Sequence, residues 1–253
     1  MGANFRDSEG QDLYLEVDGE FLKLADLVEE HAPEGRWLAF GIEPNWFMDP
    51  GEQFFEAWIG IFANDAPVFV DTSDGFALLD PGEKVGLDIN VGGLGLDGVR
   101  LHGGIGADRL VGSNGDDQIK SNGGLDDLRG AGGNDDIEGD EGAQIFHGGG
   151  GNDDLAGWGG RDVMTGGAGS DDFIFWTARA SKAHITDFKP GKDTVRFDIG
   201  LDDASYKIKD TDDGCKIVFI PEDGSSDVRS TIFLDGVEES DLKKGDILLG
   251  WLH

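Results

Sequence analysis

Gly103–Ile174 reads GGIGADRLV, GSNGDDQIK, SNGGLDDLR, GAGGNDDIE, GDEGAQIFH, GGGGNDDLA, GWGGRDVMT, GGAGSDDFI. These are eight consecutive units of nine residues with no insertion. Position four is always Gly. Position six is Asp in seven of the eight units and Gln144 in the fifth. Position eight is always apolar: Leu110, Ile119, Leu128, Ile137, Phe146, Leu155, Met164 and Phe173. A phase held over eight units is not chance, and a repeat of this kind decides the architecture before any other feature is read.

The first six residues of a unit are glycine-rich and end in Asp. They turn the chain, because glycine opens backbone angles closed to other residues. The last three place one apolar side chain between two mostly polar ones, the pattern of a half-buried strand. The chain therefore turns, makes a very short strand, and turns again. Two units complete one coil, so units separated by one stack, and the position-eight side chains form two internal ladders. One apolar residue per unit is a thin core against nine backbones, each costing roughly 1–2 kcal/mol to order. The turns must supply the rest. Stacking them brings Asp carboxylates and exposed carbonyls together in an all-oxygen environment of flexible geometry. That environment suits Ca2+ with its 6–8 oxygen ligands better than Mg2+ or Zn2+. The repeats hold no Cys, and their one His, His147, lies at position nine. Without cations the aligned carboxylates repel one another.

The pattern resembles the RTX, or haemolysin-type calcium-binding, repeat G-G-x-G-x-D-x-U-x. The resemblance implies a parallel β-roll with Ca2+ between stacked turns. It also implies the ligands: position-two and position-four carbonyls and the position-six Asp of one turn, with position-one and position-three carbonyls and the Asp of the next turn on that side. Transferred to this chain, one site is Gly104, Gly106 and Asp108 with Ser121, Gly123 and Asp126. A second is Ser113, Gly115 and Asp117 with Gly130, Gly132 and Asp135. A third is Ala131, Gly133 and Asp135 with Gly148, Gly150 and Asp153. A fourth is Gly149, Gly151 and Asp153 with Gly166, Ala168 and Asp171. Two further pairings pass through Gln144, with Asp126 on one side and Asp162 on the other. An amide oxygen still coordinates but carries no charge, so the expectation is about four strong sites and two weaker or empty ones, with Glu141 of the same unit as a partial compensator. Ligand binding and folding are coupled in such a site, so the repeats are expected to be loose until Ca2+ arrives.

The 253 residues include 52 Asp and Glu against 20 Lys and Arg, for a formal net charge of -32. The acids are spread through the whole chain. This balance argues against nucleic acid or an anionic membrane as a partner. Cys215 is the single cysteine, which leaves no intrachain disulfide; within CKIVFI it reads as a small core residue. The N-terminus MGANFRDSEG lacks a basic-then-apolar signal pattern, and no apolar run approaches the ~20 residues that span a bilayer. Composition alone suggests a cytoplasmic protein. The resemblance implies instead a secreted, extracellular bacterial protein exported by type I secretion, with an uncleaved C-terminal signal for which DLKKGDILLGWLH is the candidate segment.

The chain divides into 1–92, a small, mostly β N-terminal region; 93–175, the roll; and 176–253, a β cap. The fold class is all-β in the main. Strands are expected at LYLEV, RWLAFGI, FFEAWIGIF and PVFV, and one short amphipathic helix at FLKLADLVEEH, where Leu24, Leu27, Val28 and His31 share a face. INVGGLGLDGVRLH is the opening coil, with Leu101 where position eight would fall. After the roll, AHITDF and KPGKDTVRFDI resemble the segment that closes RTX rolls, with Asp187 and Asp193 as candidates for a terminal Ca2+. Further strands are expected at SYKIK, CKIVFI and STIFLDGV, with turns at Asp213-Gly214 and Asp223-Gly224. They would cap the open end of a solenoid.

No catalytic signature stands out. There is no H-E-x-x-H and no G-x-S-x-G. Glu43 and Asp49 flank an aromatic turn and are the only carboxylate pair worth naming for a glycosidase-like role. Nine aromatics lie between residues 37 and 69 (Trp37, Phe40, Trp46, Phe47, Phe54, Phe55, Trp58, Phe62 and Phe69). They form the core of the N-terminal region or, around Trp46 and Phe47, a platform for a polysaccharide or a cell-surface partner. The sequence supports a non-enzymatic calcium-binding protein. An adhesin or carbohydrate-binding protein is the first alternative, and an extracellular hydrolase the second.

Overall fold

The computed structural model describes residues 4–7, 14–17, 20–23, 26, 37–44, 55–63, 66–71, 87–92, 98–103, 106–176, 181–198, 205–220 and 230–250. It is nearly all β: a parallel solenoid of about six turns whose short strands build two facing ten-stranded sheets.

The roll proper contains β7 (Leu87–Asn90), β8 (Gly98–His102), β9 (Arg109–Val111), β10 (Gln118–Lys120), β11 (Asp127–Gly132), β12 (Asp136–Glu138), β13 (Ile145–Gly150), β14 (Asp154–Gly157), β15 (Val163–Ala168) and β16 (Asp172–Trp176). Odd-numbered strands pair with odd in one sheet and even with even in the other, always in parallel. The register follows the two-unit coil. Leu110 pairs with Leu128, Leu128 with Phe146, and Phe146 with Met164. Opposite them run Leu101, Ile119, Ile137, Leu155 and Phe173. All nine of these side chains are fully buried. These are the two ladders that the position-eight periodicity predicts.

Before the roll lie β1 (Asn4–Asp7), β2 (Tyr14–Val17), β3 (Glu20–Lys23), β4 (Trp37–Pro44), β5 (Phe55–Ala63) and β6 (Ala66–Asp71). Four of them prolong the roll's own sheets. β1 lies antiparallel beside β7, and β4 lies parallel beside β8, followed by β5 and β6. β7, within residues 1–92, already carries Ile89 in line with Leu110, so the roll's strand pairing begins before residue 93. β2 and β3 form a separate hairpin. β3 takes in Phe21–Lys23 of the segment expected to be helical, because those residues pair with β2 instead; Asp26 is helical, while Leu24, Leu27, Val28 and His31 lie outside the described residues. The side chains of the nine aromatics between 37 and 69 also lie outside the described part, as does Asp49.

Beyond the roll, β17 (Lys182–Ile185), β18 (Thr194–Asp198), β19 (Ser205–Thr211), β20 (Gly214–Ile220), β21 (Thr231–Asp235) and β22 (Ile247–Leu249) extend both sheets. Met164 pairs with Ile185 and Phe173 with Val195, so the internal ladders continue while the turns between them lengthen. β20 and β19 then reverse direction and end that sheet. The outermost strand, SYKIKDT, is mostly exposed and carries Lys207, Lys209 and Asp210, charges that keep an open sheet edge from pairing with another chain. Inside the cap Phe197 sits 6.0 Å from Phe175 and 5.3 Å from Phe219 between ring centroids. Cys215 is buried in the same core, which fits the small core residue expected from sequence. Asp223-Gly224 lies outside the described residues.

Candidate metal centre

The glycine at position four has a steric cause. A Cβ on Gly124 would stand 1.9 Å from the Gly106 carbonyl oxygen, one on Gly151 1.8 Å from that of Gly133, and one on Gly169 1.7 Å from that of Gly151. Each of these contacts joins position four of one turn to position four of the turn before. Each of these glycines also has positive φ, from +123° to +139°. Only glycine lets successive turns stack this closely.

The position-six residues form two further ladders, one on each side of the roll. The backbone N–H of Asp108 donates to Asp126 Oδ1 at 2.8 Å, that of Asp117 to Asp135 Oδ1 at 2.9 Å, and that of Asp135 to Asp153 Oδ1 at 3.0 Å. Asp153 and Gln144 donate likewise to Asp171 and Asp162. The other carboxylate oxygen is left over. Oδ2 of Asp126, Asp135, Asp153, Asp162 and Asp171 is buried without a hydrogen-bond partner. Buried oxygens of this kind are rarely left unpaired, and five of them, Asp126 and Asp162 on one side of the roll and Asp135, Asp153 and Asp171 on the other, share one cause.

What lies around these oxygens follows from position one. A Cβ on Gly103 would stand 2.3 Å from Asp108 Oδ2 and 2.6 Å from the Ser121 carbonyl oxygen. On Gly112 it would meet Asp117 Oδ2 and the Gly130 carbonyl; on Gly130, Asp135 Oδ2 and the Gly148 carbonyl; on Gly148, Asp153 Oδ2 and the Gly166 carbonyl. In every one of the four expected sites, therefore, the Asp of one turn and the position-one carbonyl of the next share one glycine-lined flank. That donor set is all oxygen and fits a hard cation. Among the described residues no three His, Cys, Asp or Glu side chains converge, so a cation here must draw most of its ligands from the backbone. Gly104 lies outside the described residues; the other expected ligands are all in the stacked turns.

Burial makes these carboxylates reluctant to ionise. It pushes Asp135 up to about 8, Asp162 up to about 7, and Asp117, Asp126 and Asp153 up to about 6. Asp171 and Asp193 are raised for the same reason. Asp117 is partly satisfied within its own turn: Oδ2 accepts the Ser113 N–H at 2.7 Å, and Oδ1 the Ser113 hydroxyl at 2.8 Å.

The fifth unit departs from the others. Gln144 is buried with its Oε1 unpartnered, and its Nε2 donates to Asp140 Oδ1. Asp140, at position two, thus brings a carboxylate into the turn that lacks one at position six. Its negative charge is felt by both Asp126 and Asp162. Sequence reasoning looked to Glu141 for this compensation and passed over Asp140.

The last stacked turns differ again. Asp193 takes the position-six role: its Oδ1 accepts the Asp171 N–H at 3.2 Å. Asp187 accepts the N–H groups of Gly166 and Gly167, both at 2.9 Å. Between them lies the Lys189 ammonium, 3.8 Å from each carboxylate and donating to the Gly167 carbonyl. Asp246 repeats the arrangement, accepting the Gly191 N–H at 3.0 Å and the Lys243 N–H at 2.8 Å. The G-D before the apolar ILL was the available sequence signal for Asp246.

The family described as RTX calcium-binding nonapeptide repeat (4 copies) matches residues 102–137 and again 138–173. No curated protein matches the chain. Among solved structures, the chain is similar to the AlgE6R3 subunit from the Azotobacter vinelandii mannuronan C5-epimerase, at 24% identity and a TM-score of 0.33, over 60% of this chain and 77% of that one. Among the described residues no helix is long and apolar enough to cross a membrane.

Proposed function

We propose, from the premise that residues 102–173 are RTX calcium-binding nonapeptide repeats, that this is a secreted bacterial protein whose roll folds on binding several Ca2+ ions between its turns. The ions take the ligand sets named above, about four of them complete and two modified at Gln144. Their role is structural: they bind the coils together and stiffen the strands that extend each sheet at both ends. The observation that carries the reading is the set of buried Oδ2 atoms without a hydrogen-bond partner on Asp126, Asp135, Asp153, Asp162 and Asp171, shared between the two sides of the roll. The chain's own part is to present these oxygens with their turn carbonyls and to exclude water from the coil interior; the ion supplies the positive charge. Export by type I secretion accords with the family and with a single buried cysteine, since cytosolic Ca2+ is too low to fold the roll before transit. Circular dichroism during a Ca2+ titration, repeated with Mg2+, tests the core of the proposal. A gain of β signal with Ca2+ alone is expected, and an equal signal in chelator and in millimolar Ca2+ would overturn it.

One observation favours a second, additional reading as a polysaccharide-binding protein. Trp158 packs against Trp176 with 4.8 Å between ring centroids and a 31° tilt between the rings, and it lines a cleft with Lys120, Glu138, Asp140 and Glu141. An aromatic face next to carboxylates and an amine suits a sugar ring. A glycan array with and without Ca2+ tests it, and binding undiminished in Trp158→Ala would sink it.

A further inference from the structure

The row of candidate cation positions continues past the eighth repeat unit, but the chemistry there changes. In the repeats, positions two and three hold Gly, Ser, Asn, Ala, Asp, Glu, Ile and Trp, and never a basic residue. The two turns that stack next on the same side each carry a lysine in the equivalent stretch. Lys189 lies four residues before Asp193, and Lys243 three before Asp246.

Both lysines are held the same way. The Lys189 N–H donates to Asp193 Oδ2 at 2.8 Å, and the Lys243 N–H to Asp246 Oδ2 at 2.8 Å. Each side chain then reaches back to the turn before. Lys189 Nζ donates to the Gly167 carbonyl, with Asp187 and Asp193 each 3.8 Å away. Lys243 Nζ donates to the Pro190 carbonyl at 3.1 Å. Gly167 stands at position two of the eighth unit, where the ligand scheme takes a carbonyl for an ion, and Asp193 is the carboxylate that would close that ion's site. The oxygen Asp193 Oδ2 has a partner here, unlike Oδ2 of Asp126, Asp135, Asp153, Asp162 and Asp171 in the repeats.

An ammonium is a compact cation with three donors. It satisfies carbonyls and offsets carboxylates without being taken from solution. We infer that Lys189 and Lys243 are tethered cations that replace Ca2+ in the last two turns, so that turns 186–193 and 243–246 dock on the roll without metal. The inference rests on the calcium reading of the repeats. The cap would then be structured before the repeats bind ions and would offer them a formed end to fold against, which in a solenoid lowers the cost of adding the next coil.

The test uses the full chain and its Lys189→Met, Lys189→Arg and Lys243→Met variants. Amide hydrogen exchange is followed at 186–193 and 243–250 in EGTA, and bound calcium is counted by equilibrium dialysis. In the wild type these amides are expected to be protected in EGTA while the repeats exchange freely. Lys189→Met should lose protection at 186–193 by tenfold or more, or bind one additional Ca2+ where its ammonium stood. Lys189→Arg should do neither. Lys243→Met should lose protection at 243–250. Unprotected cap amides in wild-type protein in EGTA would overturn the inference. So would a Lys189→Met protein with wild-type protection and wild-type ion count. If the wild type binds no calcium at all, the dialysis registers the failure of the parent reading separately.

Discussion

The backbone N–H of Asp135 donates to Asp153 Oδ1 at 3.0 Å, one full coil along the chain, while Asp153 Oδ2 is left buried without a partner. One carboxylate therefore does two jobs: one oxygen ties a coil to the coil before, and the other is free for an ion. Asp153 also stands in two of the complete ligand sets, as the closing Asp of one and the opening Asp of the next. Asp153→Ala removes a charged ligand from two ions and strands the Asp135 N–H, whose loss alone costs about 1–3 kcal/mol. The expected outcome is the loss of two ions by equilibrium dialysis and a Ca2+ midpoint at least tenfold higher. Gln144→Ala, in a turn already short of charge, should move the midpoint less. Equal midpoints would count against the ligand assignment.

Two neighbouring glycines should respond in opposite ways to the same methyl group. A Cβ on Gly151 would stand 1.8 Å from the Gly133 carbonyl, at φ +131°. A Cβ on Gly150 meets nothing within 4 Å. Gly151→Ala must force two turns apart as well as adopt a strained backbone, costing on the order of 3 kcal/mol. Gly150→Ala keeps its carbonyl in place and should melt within a few degrees of wild type in saturating Ca2+. Thermal denaturation of the two variants in parallel checks this; similar melting temperatures would show that stacking at position four does not set the glycine.

The nonapeptide made most of this legible. Period nine with an apolar position eight dictates two ladders, and Leu110–Leu128–Phe146–Met164 facing Leu101–Ile119–Ile137–Leu155–Phe173 is that prediction realised. The departure of the fifth unit was legible too, because Gln144 breaks a column of Asp. What escaped lay off the repeat. Asp140 could be recognised only once the turn showed its carboxylate beside the Gln144 amide. Lys189 and Lys243 belong to turns of altered length, where position numbers no longer carry over. Near the N-terminus FLKLADLVEEH argued for a helix; its first residues, Phe21–Lys23, form a strand against Tyr14–Leu15–Glu16, because a hairpin partner outweighs local periodicity there, while Asp26 is helical.

Gln144→Asp should separate the ion-free and ion-loaded states. The new carboxylate would complete the column of position-six acids and add a charged ligand to the two pairings with Asp126 and Asp162. It would also face Asp140, which now accepts from the Gln144 amide. In EGTA the like charges repel, so the variant should show less residual β signal than wild type. In saturating Ca2+ it should bind the ions at these two positions several-fold more tightly. Calorimetric titration and circular dichroism in EGTA read the two effects. Stabilisation in EGTA would show that Asp140 does not act on this turn.

The buried carboxylates set opposite pH dependences for the two states. In the ion-free fold Asp135 is raised to about 8, Asp162 to about 7, and Asp117, Asp126 and Asp153 to about 6, whereas in the unfolded chain each lies near 3.9. Between these values the fold holds more protons than the unfolded chain, so ion-free stability falls as pH rises. The stabilisation is complete near pH 4 and is lost as pH climbs through 6 to 8. Calcium reverses the sign, because it binds the ionised oxygens and must displace those protons first. In EGTA the roll, loose at pH 8, should therefore retain more β signal at pH 5. In a fixed sub-saturating Ca2+ concentration it should melt lower at pH 5. Titration at pH 5, where the protonated ion-free fold is retained, in two buffers of different ionisation enthalpy should show protons released on binding. An Asp135→Asn variant should release fewer. A binding enthalpy independent of the buffer would mean that these carboxylates are already ionised before the metal arrives.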